Sequence, residues 1–281
     1  MPRCAFLSTD DLEGFCVYDH LAVPALNDRG IEVDEVPWRA DVDWSQYAMV
    51  IVRSTWDYQQ APDAFMAALA RIDAATHLEN PLAVMRGNID KRYLGALAER
   101  GVRIVPTTFF DHFDADAIVR ASAPFDRFVV TPAVGANADD VFVLERGADL
   151  DAVASTFATR PHLVQPFAEV IHTEGERSLF FFDGELSHAI VKRPADGDFR
   201  VQEEHGGRFE LVTPTAAETE AGRRALGEIG ERLLYARVDF VNWDGAPALM
   251  ELELIEPSLY FEVYEPARAH FAEAVMRRLK P

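Results

Sequence analysis

Cysteine is nearly absent from this 281-residue chain, which holds Cys4 and Cys16 alone. A disulfide framework is thereby excluded, and a reducing, cytoplasmic setting is expected. Lysine is almost as scarce: Lys91, Lys192 and Lys280 are the whole complement, and arginine supplies the remaining positive charge. Positive charge is itself in deficit, with 27 Lys and Arg against 47 Asp and Glu and a formal net charge of −20. That balance argues against nucleic acid or an anionic membrane as a general partner. Any anionic ligand must then be met by a local cation cluster or by a metal. No apolar run approaches a membrane span, and the opening MPRCAFLSTDD has none long enough for a signal peptide. The eight histidines show no zinc-like spacing, and no nucleophile–histidine pair, internal repeat or low-complexity tract stands out.

What is present is an ordinary globular composition, 49% hydrophobic and 26% charged, long enough for one extended domain or two modest ones. Residues 3–7, 31–36 and 49–53 read as buried strands, with 77–79 as a fourth. Helices after Phe15 and over 61–72 separate or follow them. Such alternation implies a parallel sheet with crossover helices, whose ligands sit beyond the carboxyl ends of the strands. Two polar loops fall there, residues 8–11 and 53–58. Asp10, Asp11 and Asp57 could hold an ammonium group, and Arg53, beside Ser54 and Thr55, a carboxylate. Ordinary turn and cap chemistry accounts for the same residues.

Residues 85–101 read as one helix, capped by Asn88, stopped at Gly101 and carrying Lys91 in its first turn. The helix dipole disfavours a cation there, so a lysine kept at that point suggests a phosphate contact. Strands at 104–109, 127–130 and 141–144 follow, with a helix at 115–122. The small-residue loop 131–140 around Gly135 suits a hairpin turn as well as a phosphate loop. A helix over 150–158 and an apolar run at 162–167 precede a hairpin about Asp183-Gly184, which ends in Lys192 and Arg193 on opposite faces. Arg200 lies in an extended polar loop, and helices over 216–234 and 261–279 bracket the acidic stretch.

That stretch, residues 235–258, reads YARVDFVNWDGAPALMELELIEPS. It is two strands about Asp244-Gly245, with Glu251 and Glu253 on one face of the second. A two-residue loop would set Asp239 opposite Met250, on the other face. A three-residue loop, Trp243-Asp244-Gly245 with a bulge, would bring Asp239, Glu251 and Glu253 together as hard oxygen donors for Mg²⁺. An amphipathic strand with its acidic side in water shows the same pattern.

Taken in order, NIDKRYL, LVQPF, KRPADGDFRVQEEHGG and MELELIEPS resemble the ATP-grasp family over about residues 88–260. The group is that of ribosomal-protein glutamate ligases, bacterial glutathione synthetases and the ligase that closes cycloserine. The resemblance implies an α/β N-terminal parallel-sheet substrate domain (1–85) followed by an α+β ATP-grasp domain (86–281), with a lid over about 104–168. ATP would lie between two subdomains. Lys91 would contact phosphate, and Gly135, Ala136 and Asn137 would close over it. Gln165, Phe167 and Glu169 would face adenine and ribose, and Arg200 would steady the transferring phosphoryl group. Asp239, Glu251 and Glu253 would hold Mg²⁺, while Arg53, Ser54, Thr55, Asp57 and Asp10, with Arg200, would meet substrate.

One departure stands out. Where the family strand ends in lysine-proline, this one ends in Thr131-Pro132. A hydroxyl brings no charge to phosphate, so Lys192 or a nearby arginine would have to compensate. The implied activity is an ATP-dependent ligase acting through an acyl phosphate on a small amino-acid-like carboxylate and an amine or related nucleophile. The alternative is a nucleotide-binding regulator or inactive relative, which Thr131 brings into view. Small-molecule carboxylates and amines are the expected partners, and a homodimer is left open.

Overall fold

Four short apolar runs build the first layer of the computed structural model, which describes residues 1–279. β1 (Arg3–Ser8), β2 (Glu32–Pro37), β3 (Met49–Ser54) and β4 (Leu78–Glu79) form a parallel sheet in the order β2-β1-β3-β4. Side chains alternate across it. Ala5, Leu7, Val50 and Val52 pack with Phe65, Leu69 and Ile72 of the helix Pro62–Ala75. Cys4, Phe6, Met49 and Ile51 face Phe271 and Val275 of the helix Pro266–Leu279. Covering both faces is what makes these strands continuous apolar runs in sequence.

The second sheet, β5 (Thr108–Phe110), β6 (Arg127–Pro132), β7 (Phe142–Glu145) and β8 (His162–Pro166), is antiparallel in the order β5-β8-β6-β7. Phe128 and Val130 turn inward to Ile118, Val153 and Phe157 of its two covering helices, Ala115–Ser122 and Asp151–Phe157. By alternation Val129 and Thr131 turn the other way. β5 is shorter than the run at 104–109 suggests, because Pro106 cannot donate to a ladder.

The third sheet holds β9 (Glu176–Phe182), β10 (Glu185–Arg193), β11 (Arg208–Val212), β12 (Tyr235–Trp243) and β13 (Ala246–Glu253), in the order β11-β10-β9-β12-β13. Phe180, Phe182 and Tyr235 join the core of the parallel sheet, so the two layers share one interior. The edge strand β11 carries no sequence signal, since Arg208 and Glu210 sit in an exposed, charged run. Among the described residues no helix is long and apolar enough to cross a membrane.

Three expected helices differ. Residues 85–101 are two short helices, Leu82–Asn88 and Tyr93–Glu99, with Lys91 in the turn between them. Asn88 is not a cap: its amide donates to the Leu252 carbonyl at 2.8 Å and accepts from the Leu254 N–H at 3.0 Å. Asp90 takes the Arg92 N–H at 2.9 Å, a local side-chain bond that competes with the helix. The helix after Thr215 starts on a capping box with Glu218 and stops at Gly227 rather than near 234. The closing helix begins at Pro266 and not at 261, as the restriction on the residue before proline requires.

The acidic hairpin differs most usefully. Its turn is the two residues Asp244 (φ 49°) and Gly245 (φ 77°), both left-handed, with Trp243 opposite Ala246. Pairing runs regularly to Phe240 opposite Leu249 and then slips, so that Asp239 faces Glu251 and Met250 is the extra residue. The three-residue loop expected from the sequence is not there. A bulge at Met250 provides the same change of phase.

Candidate active site

A cavity of about 310 Å³ opens between the β6–β8 face, the β10–β12–β13 face and the segment that leaves β13. Asp239 stands at its charged centre, 2% exposed. It accepts from Ser178 Oγ at 2.5 Å and from Arg237 Nη2 at 3.0 Å, with Lys192 Nζ at 3.4 Å. Arg237 also pairs with Glu253, Lys192 with Glu176, and Lys91 with Glu251. Register explains the grouping, because Arg237 faces Glu253 and Asp239 faces Glu251 across the hairpin.

These pairs set the titration behaviour. Burial works to raise the Asp239 carboxyl, but Arg237, Lys192 and the Ser178 hydrogen bond bring it down to about 2. At Glu253 burial prevails over Arg237, helped by Glu251 and Asp239, and the carboxyl rises to about 7. Glu256 rises to about 8, through burial and the charges of Glu253 and Glu251, with the Tyr58 hydroxyl bond opposing. Burial disfavours the charge on Lys192, yet Asp239 and Glu176 raise its pKa overall.

Whether the carboxylates suit Mg²⁺ is tested by this environment. Asp239, Glu251 and Glu253 are hard oxygen donors, and burial, with Glu251 and Asp239 close by, disfavours the charge on Glu253. Among the described residues no three such groups stand where one ion could take them all. Glu251 is instead paired with Lys91, Glu253 with Arg237, and Asp239 with both Arg237 and Lys192. The donor chemistry fits a divalent cation, with Lys91 and Arg237 as the side chains that would share their partners.

Several expected residues meet at this cavity: Lys91, Thr131, Gly135, Ala136, Asn137, Gln165, Phe167, Lys192 and Arg200 all line it. Lys91 donates its N–H to the Ala133 carbonyl at 2.7 Å, and Asn137 reaches the Trp56 carbonyl at 3.3 Å. These bonds tie the 133–140 loop to both sides. A Cβ at Gly135 would come within 2.7 Å of Pro132 Cγ, which is why glycine stands there. Gln165 is aimed by a 3.0 Å bond to Thr107 Oγ1. Arg200 sits in the lining but is drawn onto Asp198 at 2.8 Å. Lys192 turns inward and Arg193 outward to Glu210 at 3.2 Å, as the strand phase predicts.

Others lie elsewhere. Glu169 pairs with Arg127 at 2.8 Å, outside the lining. Arg53 is fully buried: Nε and Nη2 donate to Asp19 at 3.0 and 2.8 Å, and Nη2 donates to the Pro257 carbonyl at 2.8 Å. Arg53 does not itself line the cavity, and its Nη1 has no hydrogen-bond partner among the described residues. Ser54 and Thr55 are buried with it. Asp57 accepts from Trp38 Nε1 at 2.8 Å and pairs with Arg39, which also holds Asp10 at 3.0 Å. From that loop it is Trp56 and Tyr58 that reach the cavity. Arg237, Glu176 and Glu256 line it without having been singled out from sequence. Arg237 was visible as the partner of Asp239 at strand spacing in R-V-D, and Glu256 as a third glutamate in MELELIEPS.

Comparison with known proteins agrees with this geometry. A family model described as the N-terminal domain of D-cycloserine synthetase DcsG matches residues 4–80. The cycloserine biosynthesis protein DcsG of Streptomyces lavendulae is 37% identical over 273 residues, covering 90% of each chain. The crystal structure of D-cycloserine synthetase DcsG superposes with a TM-score of 0.86 at 30% identity, over 99% of this chain and 100% of that one. The chain belongs to the DcsG family of ATP-grasp ligases. At the level of fold alone, the ATP-grasp ligase PsnB, complexed with a phosphomimetic variant of its minimal precursor, Mg and ADP, gives a TM-score of 0.69 at 17% identity. That match covers 99% of this chain and 98% of that one. The fold of this ATP-grasp ligase is thus a parallel α/β layer followed by an α+β grasp.

Proposed function

We propose that this ATP-grasp ligase activates a small amino-acid-like carboxylate as its acyl phosphate. The acyl group then passes to an amine or related nucleophile, with release of ADP and phosphate. The observation that carries this reading is the alternation of Lys91, Lys192 and Arg237 with Asp239, Glu251 and Glu253 on one face of a cavity whose facing sheet presents Val129, Thr131, Leu163, Gln165 and Phe167. Such a face suits polyphosphate and a reacting carboxylate, and the opposite one suits a base. No protein nucleophile is needed, since positioning and charge neutralisation supply the catalysis.

In this reading Gln165 and Phe167 meet the base, the 133–140 loop covers the phosphates, and Arg237 and Arg200 lie toward the reacting carboxylate. Mg²⁺ held by Asp239, Glu251 and Glu253 would neutralise phosphate charge. Lys192 already balances Glu176 and Asp239 and so is not a ready substitute for the charge that Thr131 lacks. Residues 1–85 would then be the substrate domain and 86–281 the grasp domain, with 104–168 as its lid, acting on small molecules in the cytoplasm.

Thr131 favours one second reading, a nucleotide binder without ligation. ADP release that depends on an added carboxylate separates the two. Glu251→Gln should lower that release about a hundredfold or more while leaving the melting temperature close to wild type. Turnover unchanged in this variant would remove Glu251 from the site.

A further inference from the structure

Residues 104–168 and residues 1–85 meet at one polar point. Among the described residues a single hydrogen bond and no ion pair joins them: Asn137 Nδ2 donates to the Trp56 carbonyl at 3.3 Å. Asn137 stands at the tip of the 133–140 loop, whose two ends are tied within their own unit. Arg160 holds Asp140 at 2.5 Å and the Val134 carbonyl at 3.2 Å, and the Ala133 N–H donates to the Pro161 carbonyl at 3.0 Å. The tip turns through the left-handed region, with Asn137 at φ 55° and Ala138 at φ 58°. Asparagine tolerates that region better than most residues, so it can turn the chain and still offer its amide outward.

Trp56 makes its other contacts on different elements. Its indole N–H donates to the Glu256 carbonyl at 2.9 Å, and its ring packs on Phe15 with centroids 5.5 Å apart. The Glu256 carbonyl belongs to the segment that follows β13, where side-chain donors replace the ladder the strand has left. Asn80 serves Leu254 in this way, Tyr235 serves Ile255 and Arg53 serves Pro257. Those three donors are fully buried, whereas Trp56 is half-buried and lines the cavity. One residue thus accepts from the loop through its carbonyl and donates to the segment through its indole. Only that residue's own bonds lie between the two contacts, and Phe15 braces the ring. A displacement of the loop tip is therefore passed to the Glu256 carbonyl with little slack.

We propose that Trp56 is a positioning residue that couples the 133–140 loop to the segment 254–258, so that nucleotide under the loop and carboxylate beside the segment each tighten the binding of the other. Such coupling is reciprocal by linkage. The inference rests on the ligase reading above, which puts phosphates under the loop and the reacting acid in the same cavity.

The test uses the full chain with Mg²⁺, a non-hydrolysable ATP analogue and a carboxylate that supports ADP release in wild type. Trp56→Phe keeps a ring on Phe15 and removes the N–H, while Asn137→Gly keeps the left-handed backbone and removes the amide. In wild type the carboxylate should tighten analogue binding about three- to tenfold, the range for one neutral hydrogen bond. That ratio should fall toward one in each variant, and the double variant should lose no more of it than either single one. Trp56 emission, taken as wild type minus Trp56→Phe, should shift when the analogue binds, and the same difference in an Asn137→Gly background should not. Weaker binding of both ligands with the ratio kept makes Trp56 merely structural and overturns the proposal. So does a ratio lost in Trp56→Phe but kept in Asn137→Gly, a ratio of one in wild type, or an emission the analogue leaves unmoved. Each of these leaves the ligase reading standing. Absence of any carboxylate-dependent ADP release from wild type overturns that reading and the coupling with it.

Discussion

The two walls of the cavity are built from unlike materials. One presents Glu176, Lys192, Arg237, Asp239, Glu251 and Glu253, and the other Val129, Thr131, Leu163, Gln165 and Phe167. The charged wall stands on the third sheet, whose central strands share a core with the parallel layer through Phe180, Phe182 and Tyr235. The neutral wall stands on the small sheet, with a core of its own around Phe128 and Phe157. Charges that must meet at fixed distances are placed where the interior is deepest, because packing sets their positions. A wall without such charges needs less exact placement and can rest on a lighter support.

The comparison is broken most severely by removing a charge from the first wall. Arg237→Ala would leave Asp239 and Glu253 without their shared cation, and should cost about 3–5 kcal/mol of stability. Chemical denaturation would show it as a lowered midpoint. A loss within that of an exposed surface pair would mean that the charged wall is not a mutually dependent unit.

Adding a charge to the second wall sharpens the contrast. Thr131→Lys should tighten ATP binding by about ten- to a hundredfold, the range for one charged hydrogen bond to phosphate. The gain should be greatest at low salt, where the contact is least screened. Equilibrium titration with ATP checks it. Unchanged or weaker binding would mean that Thr131 does not face phosphate.

A further effect is on pH dependence. Glu256 keeps its proton up to about 8 in the folded protein, well above an ordinary carboxyl, because burial and Glu253 disfavour its charge. A raised folded pKa stabilises fully below the unfolded value, and that contribution fades as pH rises through the folded one. The ligand-free melting temperature should therefore fall between about pH 5 and about pH 8, and fall less steeply in Glu256→Gln. Parallel profiles for the two proteins would contradict the assigned shift.

Much of the third sheet was legible, because β-branched and aromatic runs broken by Asp-Gly turns mark hairpins strongly. The parallel layer was legible for a similar reason, its strands being buried on both sides. A charged loop at a strand end suits substrate binding and internal bracing equally, so sequence left the role of Arg53 open. The bracing of Asp19 and of the Pro257 carbonyl became visible only in space. Lys91 lines the cavity but in a different local structure from the one expected, since the bonds of Asn88 to β13 are tertiary and leave no local trace. Arg237 was passed over because its pairing with Glu253 across the hairpin depends on a register that composition does not state.

The bulge at Met250 has a consequence for how that register is kept. Leu249 and Leu252 are both buried in one core, three positions apart where unbroken alternation would demand two or four. The slip that turns Asp239 toward Glu251 is the same slip that brings Leu252 inward. Shifting β13 by one residue would drive Glu251 into hydrocarbon and expel Leu252 in a single step. The hairpin thus carries something like a parity bit: one odd residue, checked against apolar packing on one face and charge pairing on the other, which rejects any misaligned strand before a ligand is ever bound.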